Sequence, residues 1–349
     1  MRIACERGTW SEETGAPLKI SVVIPAYNAE HTVSRAVEQS LAQAQDGLAI
    51  EAIVVDDGST DTTAEMARSA GAAVIRQAHA GPASARNRGW QAAAGEVICF
   101  TDSDCIPATD WLAKLLQGFT DRRVGAVAGS YDIANRHSWL ARCVHREIIE
   151  RHQRMPDFVR AFGTYNVAIP RHVLEATRGF DTSYRCASGE DNDLSYRILK
   201  MGWRIAFAPQ ARVAHHHPDR LWKYLKDQAR HGFWRATLYL NHPRMMAGDD
   251  YTRGRDRLEP LLVLGMVGFS ILALLGVPLC GTLSAILFTT FLCLQLSWPL
   301  RWWLQDGKAE AVPYAGVTAL RGLARTLGLC AGLVRFAPRV RKAGRMGDG

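Results

Sequence analysis

The sequence predicts an α/β domain with a Rossmann-like, mostly parallel central sheet, followed by a membrane-spanning helical hairpin and an amphipathic helix. Two observations lead to this prediction. Between residues 19 and 104, short apolar runs rich in Val and Ile alternate with helical patterns, and polar residues follow the runs. Between residues 258 and 300, two long stretches carry almost no charge. We therefore predict a disordered leader (1–18), the α/β domain (19–217), an amphipathic interfacial connector (218–257), two transmembrane helices (258–304), and an amphipathic membrane-surface helix with a basic tail (305–349).

The predicted strands of the first half each end in a turn or polar segment. The first is stopped by Pro25, with Tyr27 close behind, and the second runs into Asp57 and a capped helix. A third short strand precedes a turn and a helix that contains Arg86. This order of strand, helix and strand is typical of a doubly wound sheet. The four strands cover residues 19–24, 51–55, 73–75 and 97–100.

The fourth strand ends in two aspartates, Asp102 and Asp104. Ligands of parallel sheets collect beyond the carboxyl ends of the strands, so these carboxylates lie where a ligand would bind. Paired oxygen ligands suit a hard divalent cation. An isolated Asp-x-Asp is more often a solvated turn, and Arg86 is by itself an ordinary surface charge. An arginine on the same rim as these carboxylates is nevertheless well placed to meet a phosphate.

The two uncharged stretches predict membrane crossings. Residues 258–280 contain only one charged residue, Glu259 at the edge, and residues 282–300 contain none. Each approaches the ~20 apolar residues that span a bilayer. Two buried core helices are the alternative, but such helices normally carry a polar stripe.

The net charge of +8 is concentrated beside these stretches. Positive flanks and an uncharged link around Gly281 predict a hairpin with both ends in the cytoplasm, in the inner (plasma) membrane. Residues 312–336 contain arginines among apolar residues and are expected to lie on the membrane surface, since a further crossing would export the basic tail. The arginines form no groove-like patch with aromatics, which argues against a nucleic-acid partner. The flanking and tail charges are Arg253, Arg255, Arg257, Arg301, Arg339, Arg341, Lys342 and Arg345.

Four motifs occur in order: SVVIPAYN (21–28), VVDDGSTD (54–61), ARNRG (85–89) and DSD (102–104). Together they resemble the successive signatures of family 2 glycosyltransferases with the GT-A fold, over roughly residues 19–240. The resemblance implies a nucleotide-sugar donor, a divalent metal (Mg or Mn) and inversion at the anomeric carbon. A Gln-x-x-Arg-Trp motif, which processive relatives carry, is not matched at Gln228. This departure favours transfer of a single sugar.

The resemblance also implies roles for individual residues. Pro25 and Tyr27 would line the nucleobase, and Asp57 would accept a hydrogen bond from the base ring, which favours uracil. Arg86 would lie near the diphosphate or base. Asp102 would lie near the ribose and the metal, Asp104 would bind the metal, and Glu190 would lie in the donor site. The structural alternatives are a strand terminator for Pro25 and a turn residue for Asp57.

The second half of the domain contains the predicted catalytic base. Asp191 matches the aspartate of the family's Glu-Asp motif, which takes the proton from the acceptor hydroxyl. It lies in the first turn of a predicted helix, where acids are commonly only caps, and the helix N-terminus is expected to keep it ionised. His215 is expected to complete the metal site, and His217 is the second candidate for this role. The alternative is that His215 is an ordinary histidine of a surface loop. Arg178 replaces the first glycine of the family's Gly-Gly-Phe-Asp turn.

The sequence thus predicts an enzyme that moves one sugar to a lipid, glycan or peptide acceptor of the cell envelope. A UDP-sugar is the favoured donor. A nucleotidyltransferase would share the phosphate and metal rim but would need no Glu-Asp base. A catalytically silent membrane scaffold would use the α/β domain only to bind a partner. Metal-dependent release of UDP separates the enzyme from the scaffold.

Overall fold

The computed structural model describes residues 5–6, 9–10, 17–44, 47–243, 250–252, 254–307 and 309–346, with side chains between 17 and 337. Most of the predicted leader lies outside these residues. Its described part is a pair of two-residue strands, β1 (Cys5–Glu6) and β2 (Thr9–Trp10). The described chain forms two compact units: unit 1 comprises residues up to 135 and 145–217, and unit 2 comprises residues 136–144 and those from 218 onward.

Unit 1 contains a nine-stranded sheet in the order β5-β4-β3-β6-β10-β8-β11-β7, with β9 also paired to β11. The first four of these strands are mutually parallel, which confirms the predicted α/β class. β10 enters antiparallel to both of its neighbours, and β8 and β11 are again parallel. The strands are β3 (Leu18–Ala26), β4 (Leu48–Asp56), β5 (Ala73–Arg76), β6 (Val97–Thr101), β7 (Cys105–Pro107), β8 (Val124–Ile133), β9 (Phe158–Val159), β10 (Asn166–Pro170) and β11 (Arg204–His215).

Both faces of this sheet are covered by helices, because its central strands are apolar on both sides. On one face, Val22 and Cys99 pack with Trp111 of α4. On the other, Val23 and Phe100 pack with residues of α3, α6 and α7. The helices are α1 (Val33–Leu41), α2 (Thr63–Ser69), α3 (Pro82–Ala92), α4 (Trp111–Gln117), α5 (Trp139–His152, divided between the units), α6 (Arg171–Thr177) and α7 (Glu190–Lys200).

Helix α6 ends at Arg178, which has a left-handed conformation with φ 60°. A side chain strains the backbone there, whereas glycine adopts it freely. We expect Arg178→Gly to raise the free energy of unfolding by about 1 kcal/mol, measured by denaturant unfolding. Arg178→Ala is the matched control and should gain little, because alanine keeps the Cβ. An unchanged midpoint for the glycine variant would contradict strain at this position.

The described residues of unit 2 form four long helices: α8 (Leu221–Asn241), α9 (Gly254–Leu274), α10 (Cys280–Asp306) and α11 (Ala311–Met346). Within the part of the chain that the structure describes, three helical segments are long and apolar enough to cross a membrane: α9, α10 and residues 311–337 of α11. The predicted hairpin corresponds to the first two. The third differs from the expected surface helix, since by length and composition it is also a candidate crossing.

The arginines of residues 312–336 were expected to belong to an amphipathic surface helix. Arg321 is instead buried within unit 2 and donates a hydrogen bond to the Tyr224 hydroxyl of α8 (3.3 Å). Arg325 donates to Gln228 (2.7 Å). The two helices approach closely at Gly328, where a Cβ would collide with the Ala229 carbonyl. Arg321 and Arg325 therefore each donate a hydrogen bond to α8 within unit 2.

Candidate functional site

Tyr27 and Asp57 follow the neighbouring parallel strands β3 and β4, so they lie beside each other at the carboxyl edge of the sheet. Asn28 braces the two turns: its backbone N–H donates to the Ser59 hydroxyl (2.9 Å), and its side-chain oxygen accepts from the Thr60 N–H (2.9 Å). Its φ of 48° is one that asparagine tolerates. Pro25 is half-buried near the end of β3. The bracing leaves the Tyr27 ring half exposed at this edge.

The Asp57 carboxylate is almost fully buried and holds the loop between β5 and α3. One oxygen accepts from Gln77 Nε2 (2.7 Å) and the Ala80 N–H (2.9 Å), and the other accepts from the Gly81 N–H (2.9 Å). His79 Nδ1 lies 2.9 Å from that second oxygen, and its ring contacts Tyr27 with centroids 4.4 Å apart. The exposed His79 ring therefore lies where a base would meet Asp57, and sequence reasoning missed it. The predicted contact of Asp57 with a base stays a prediction.

Arg86 is buried in α3 and joins two distant parts of unit 1. Its Nη2 donates to Asp102 Oδ1 (2.9 Å), just after β6, and its Nη1 donates to Glu190 Oε1 (2.8 Å), at the start of α7. The buried Arg86 Nε has no partner among the described residues. Its terminal nitrogens fix the relative positions of Asp102 and Glu190, because a planar guanidinium holds two carboxylates at a defined separation. That Arg86 lies near the diphosphate or base stays a prediction.

Asp191 lies in the first turn of α7, as predicted, and is half-buried. Its Oδ1 accepts a hydrogen bond from the Asn192 N–H (2.8 Å). Burial and the charge of Glu190 raise the pKa of Asp191 to about 7, although the Asn192 N–H and Arg86 act in the opposite direction. The expectation that the helix N-terminus keeps this group fully ionised was therefore wrong, because desolvation and a neighbouring carboxylate outweigh the helix. A base is most effective when its pKa is close to the working pH.

Asp104, Cys105 and His215 form the group of metal-type ligands found among the described residues, with ligand atoms within 4.8 Å of one another. Asp104 Oδ2 lies 3.4 Å from His215 Nε2. Burial disfavours the ionised carboxylate, but the charge and hydrogen bonding of His215 lower the pKa of Asp104. Two ligand atoms at this separation can share one ion at about 2.1 Å from each, so these residues fit the implied divalent cation. Cys105 was not predicted. Burial raises the pKa of its thiol, so it is a poor ligand for Mg²⁺ or Mn²⁺.

Two further histidines, His217 and His145, continue from His215. His217 Nδ1 is 3.2 Å from His215 Nδ1, and His217 Nε2 is 3.3 Å from His145 Nδ1. Burial, and then the neighbouring His215 and His145, lower the pKa of His217 to about 2, so its imidazole is neutral. Tyr131 contacts His215 and stacks on Tyr165 with centroids 3.5 Å apart. Only the alternation of His215 and His217 along an extended segment signalled a shared face.

The predicted residues fall into three groups at the carboxyl ends of the strands. Tyr27 and Asp57 form the first. Arg86 links the members of the second, and Asp104 and His215 form the third. Asp102 belongs to the Arg86 group and lies outside the cluster of Asp104, Cys105 and His215. Its predicted role as a metal ligand therefore stays a prediction.

Known proteins resemble both the sequence and the fold. A 257-residue segment is 29% identical to the pre-mycofactocin glycosyltransferase of Mycobacterium tuberculosis, covering 70% of this chain and 50% of that protein. A 185-residue segment is 31% identical to an Escherichia coli protein named UDP-Glc:alpha-D-GlcNAc-diphosphoundecaprenol beta-1,3-glucosyltransferase, covering 52% and 70%. The chain spans about half the length of the first curated relatives it matches.

Among solved structures, the fold is similar to a mannosyltransferase from Pyrobaculum calidifontis in complex with GDP-Man and Mn²⁺. The TM-score is 0.57 at 20% identity, over 90% of this chain and 87% of that one. This likeness confirms the predicted GT-A class of fold. The family model described as "Glycosyltransferase like family 2" matches residues 16–233, well over half of the chain. The chain therefore belongs to glycosyltransferase family 2.

Proposed function

We propose that this protein is an inverting, metal-dependent glycosyltransferase that moves a single sugar from a nucleotide diphosphate sugar, in the first instance a UDP-sugar, to an acceptor hydroxyl. The single observation that carries the proposal is the Arg86 bridge. Arg86 binds both Asp102 after β6 and Glu190 at the start of α7, and this bridge supports a site in which Asp191, next to Glu190, acts as the base close to Asp102.

The donor would lie along the carboxyl edge of the sheet. Tyr27 and His79 offer exposed aromatic faces for the base, and Asp57 is the acceptor within reach of a ring N–H once His79 moves away. Pro25 would line the same place. Asp102 and Glu190 would border the ribose and the diphosphate through their shared contact with Arg86.

Asp104 and His215, with Asp102 nearby in sequence, would hold a Mg²⁺ or Mn²⁺ ion. When bound, such an ion neutralises charge that develops on the departing diphosphate. The protein's own contribution is the base. Asp191 takes the proton from the acceptor hydroxyl while the acceptor oxygen bonds to the anomeric carbon, and the bond from that carbon to the diphosphate oxygen breaks on the opposite face. The products are the glycoside with inverted configuration and the nucleoside diphosphate.

The acceptor would be a lipid-linked component of the cell envelope, with glycan or peptide as alternatives. Three helices that are long and apolar enough to cross a membrane support a membrane-bound acceptor. The E. coli relative named for transfer to a diphosphoundecaprenol-linked sugar supports the same class. The link predicted around Gly281 lies instead at residues 275–279, since α10 begins at Cys280, and it is likewise uncharged. This link and the arginines on the flanks support a catalytic domain on the cytoplasmic side of the inner membrane.

A thermal-shift panel tests the proposal on the full chain in detergent, with UDP- and GDP-sugars in the presence and absence of Mn²⁺. A ligand that binds the folded state raises its melting temperature, so one nucleotide sugar should stabilise the protein only with the metal. The protein should then release nucleoside diphosphate from that nucleotide sugar when acceptor is added, and chelation of Mn²⁺ should stop the release. Binding without turnover on any acceptor would favour the silent scaffold, and release of pyrophosphate from a nucleoside triphosphate would favour a nucleotidyltransferase.

Tyr27→Ala should raise the donor KM about 5-fold with little change in kcat, because the lost ring contributes stacking of the order of 1 kcal/mol to binding in ground and transition states alike. The measurement is the initial rate of nucleoside diphosphate release at varied donor. Tyr27→Phe is the control and should behave like the wild type. A normal KM in the alanine variant would place the base elsewhere.

A further inference from the structure

The three imidazoles of His215, His217 and His145 form a continuous chain within unit 1. It begins at Asp104 Oδ2, 3.4 Å from His215 Nε2. It passes from His215 Nδ1 to His217 Nδ1 (3.2 Å) and from His217 Nε2 to His145 Nδ1 (3.3 Å). It ends where His145 Nε2 faces Asp132 Oδ1 at 4.0 Å. Every ring nitrogen of the chain therefore faces either another ring nitrogen or a carboxylate.

The central imidazole, that of His217, is held in a fixed position by its neighbours. His217 is almost fully buried. Asn135 fixes its backbone on both sides: Asn135 Nδ2 donates to the His217 carbonyl (2.7 Å), and the His217 N–H donates to Asn135 Oδ1 (3.1 Å). The Tyr131 ring packs edge-on against the His217 ring, with centroids 5.5 Å apart. Its ring nitrogens consequently have a fixed direction.

A neutral imidazole has one N–H and one lone pair, so two adjacent rings in hydrogen-bond contact constrain each other. If His215 Nε2 is to present its lone pair to a cation, its hydrogen is on Nδ1 and is donated to His217 Nδ1. The hydrogen of His217 is then on Nε2 and is donated to His145 Nδ1. The hydrogen of His145 is then on Nε2, which is the atom that faces the Asp132 carboxylate. With a cation at His215 Nε2, this is the assignment that gives every ring–ring contact one hydrogen.

The reverse assignment has the opposite consequence. With hydrogen on His145 Nδ1 and His217 Nδ1, His215 would carry its hydrogen on Nε2 and donate it to Asp104. That state has no lone pair at Nε2 for a cation. A carboxylate stabilises an N–H that points toward it, so Asp104, 3.4 Å from His215 Nε2, favours the reverse assignment as long as no cation is bound. A cation held by Asp104 and His215 removes that acceptor, and Asp132, 4.0 Å from His145 Nε2, then favours the first assignment.

We propose that His217 and His145 are positioning residues that hold His215 in the tautomer able to bind a divalent cation, with Asp132 setting the direction of the chain. The inference rests on the proposed function, in which Asp104 and His215 hold the ion. It adds a second layer to that site, and its residues do not touch the substrate. Second-layer partners of a histidine ligand typically change metal affinity 10- to 100-fold.

Calorimetric titration of the full chain in detergent with Mn²⁺ alone tests the proposal without relying on turnover. His217→Phe keeps most of the ring volume but no nitrogen, and we expect its Kd for Mn²⁺ to rise about 10- to 100-fold. His217→Asn removes volume but returns an oxygen near the position of Nδ1, and we expect it to recover much of the affinity. A residue that only filled space would give the opposite order, with Phe close to wild type and Asn worse.

The His145 pair provides a second measurement should His217→Phe fail to fold. His145→Asn should retain more Mn²⁺ affinity than His145→Phe, because the asparagine returns an oxygen near the position of Nδ1 that can accept the hydrogen bond from His217 Nε2. If the two His217 variants bind Mn²⁺ equally and the two His145 variants do so too, His217 and His145 do not position His215.

His215→Ala separates the two levels of the argument. If this variant loses Mn²⁺ binding while His217→Phe and His145→Phe bind like the wild type, the relay is wrong and the metal site stands. If His215→Ala itself binds Mn²⁺ with unchanged Kd, the proposed metal site is wrong.

Discussion

Asp191→Asn should abolish sugar transfer while leaving donor binding nearly intact. The amide has almost the shape of the carboxylate but cannot take a proton from the acceptor hydroxyl. A positioned general base contributes about 10²- to 10⁴-fold to rate, so kcat should fall by about 10³-fold. The measurement pairs the initial rate of nucleoside diphosphate release with the Kd of the donor from calorimetry. Unchanged turnover would show that another group accepts the proton.

The same carboxyl should set the acid side of the pH profile. Its pKa of about 7 is raised by burial and by Glu190, and only the deprotonated form acts as a base. The rate at saturating acceptor should therefore rise with pH, reach half its maximum near pH 7 and level off above about pH 8. Asp191→Glu, which keeps a titrating group, is the control and should retain an acid limb. A rate independent of pH between 5 and 8 would contradict this assignment.

Asp191→Asn should also be more stable than the wild type at high pH. The folded state raises this pKa from its ordinary value of 3.8 to about 7, so the folded protein binds the proton more tightly than the unfolded chain. The ionised carboxylate therefore destabilises the wild type above pH 7, by at most about 4 kcal/mol and by less because the group is partly solvated. The variant lacks this cost. Its advantage in denaturant unfolding should be largest at pH 8, shrink at pH 5 and disappear below about 4.

The sequence predicted the positions of side chains along the chain better than their partners. Asp102 and Asp104 follow β6 and Asp191 starts α7, as expected, because short apolar runs and a helix start can be recognised locally. The bridge from Arg86 to Glu190 spans 104 positions, and no local pattern specifies it. The burial of Asp191 could not be predicted from the sequence either. Asp191 was expected to be ionised on the strength of its helix position alone, whereas its pKa depends on packing and on a neighbouring charge.

The helices of unit 2 illustrate the same limit. Apolar length predicted α9 and α10 correctly. We interpreted the segment with Arg321 and Arg325 as an amphipathic surface helix. The sequence does not reveal that these arginines donate hydrogen bonds to Tyr224 and Gln228 of α8. Composition gives the charge that a helix carries. Whether a charged side chain is hydrogen-bonded by solvent or by a neighbouring helix depends on the packing of the helices.

Arg86→Ala should have the largest effect on stability of any single change in the site. Arg86 and Glu190 are both about 2% exposed and form an ion pair of 2.8 Å. Removing one member of a buried pair leaves the other charge without compensation, at a cost of about 3–5 kcal/mol. Denaturant unfolding of the purified chain measures this loss. Arg88→Ala, on an exposed position of the same helix, is the matched control and should change stability by less than about 0.5 kcal/mol.

Arg86→Lys separates charge from geometry at this position. A single ammonium is a point charge and cannot hold Asp102 and Glu190 at a fixed separation as the planar guanidinium does. The lysine variant should therefore recover part of the stability but little of the activity. The double variant Arg86→Met with Glu190→Met should likewise fold better than Arg86→Ala, because no unpaired charge remains at Glu190, and it should stay inactive because Asp102 has lost its partner. Full activity in either variant would show that the bridge only stabilises the fold, and the positioning of Asp191 would then have to come from the packing of α7 alone.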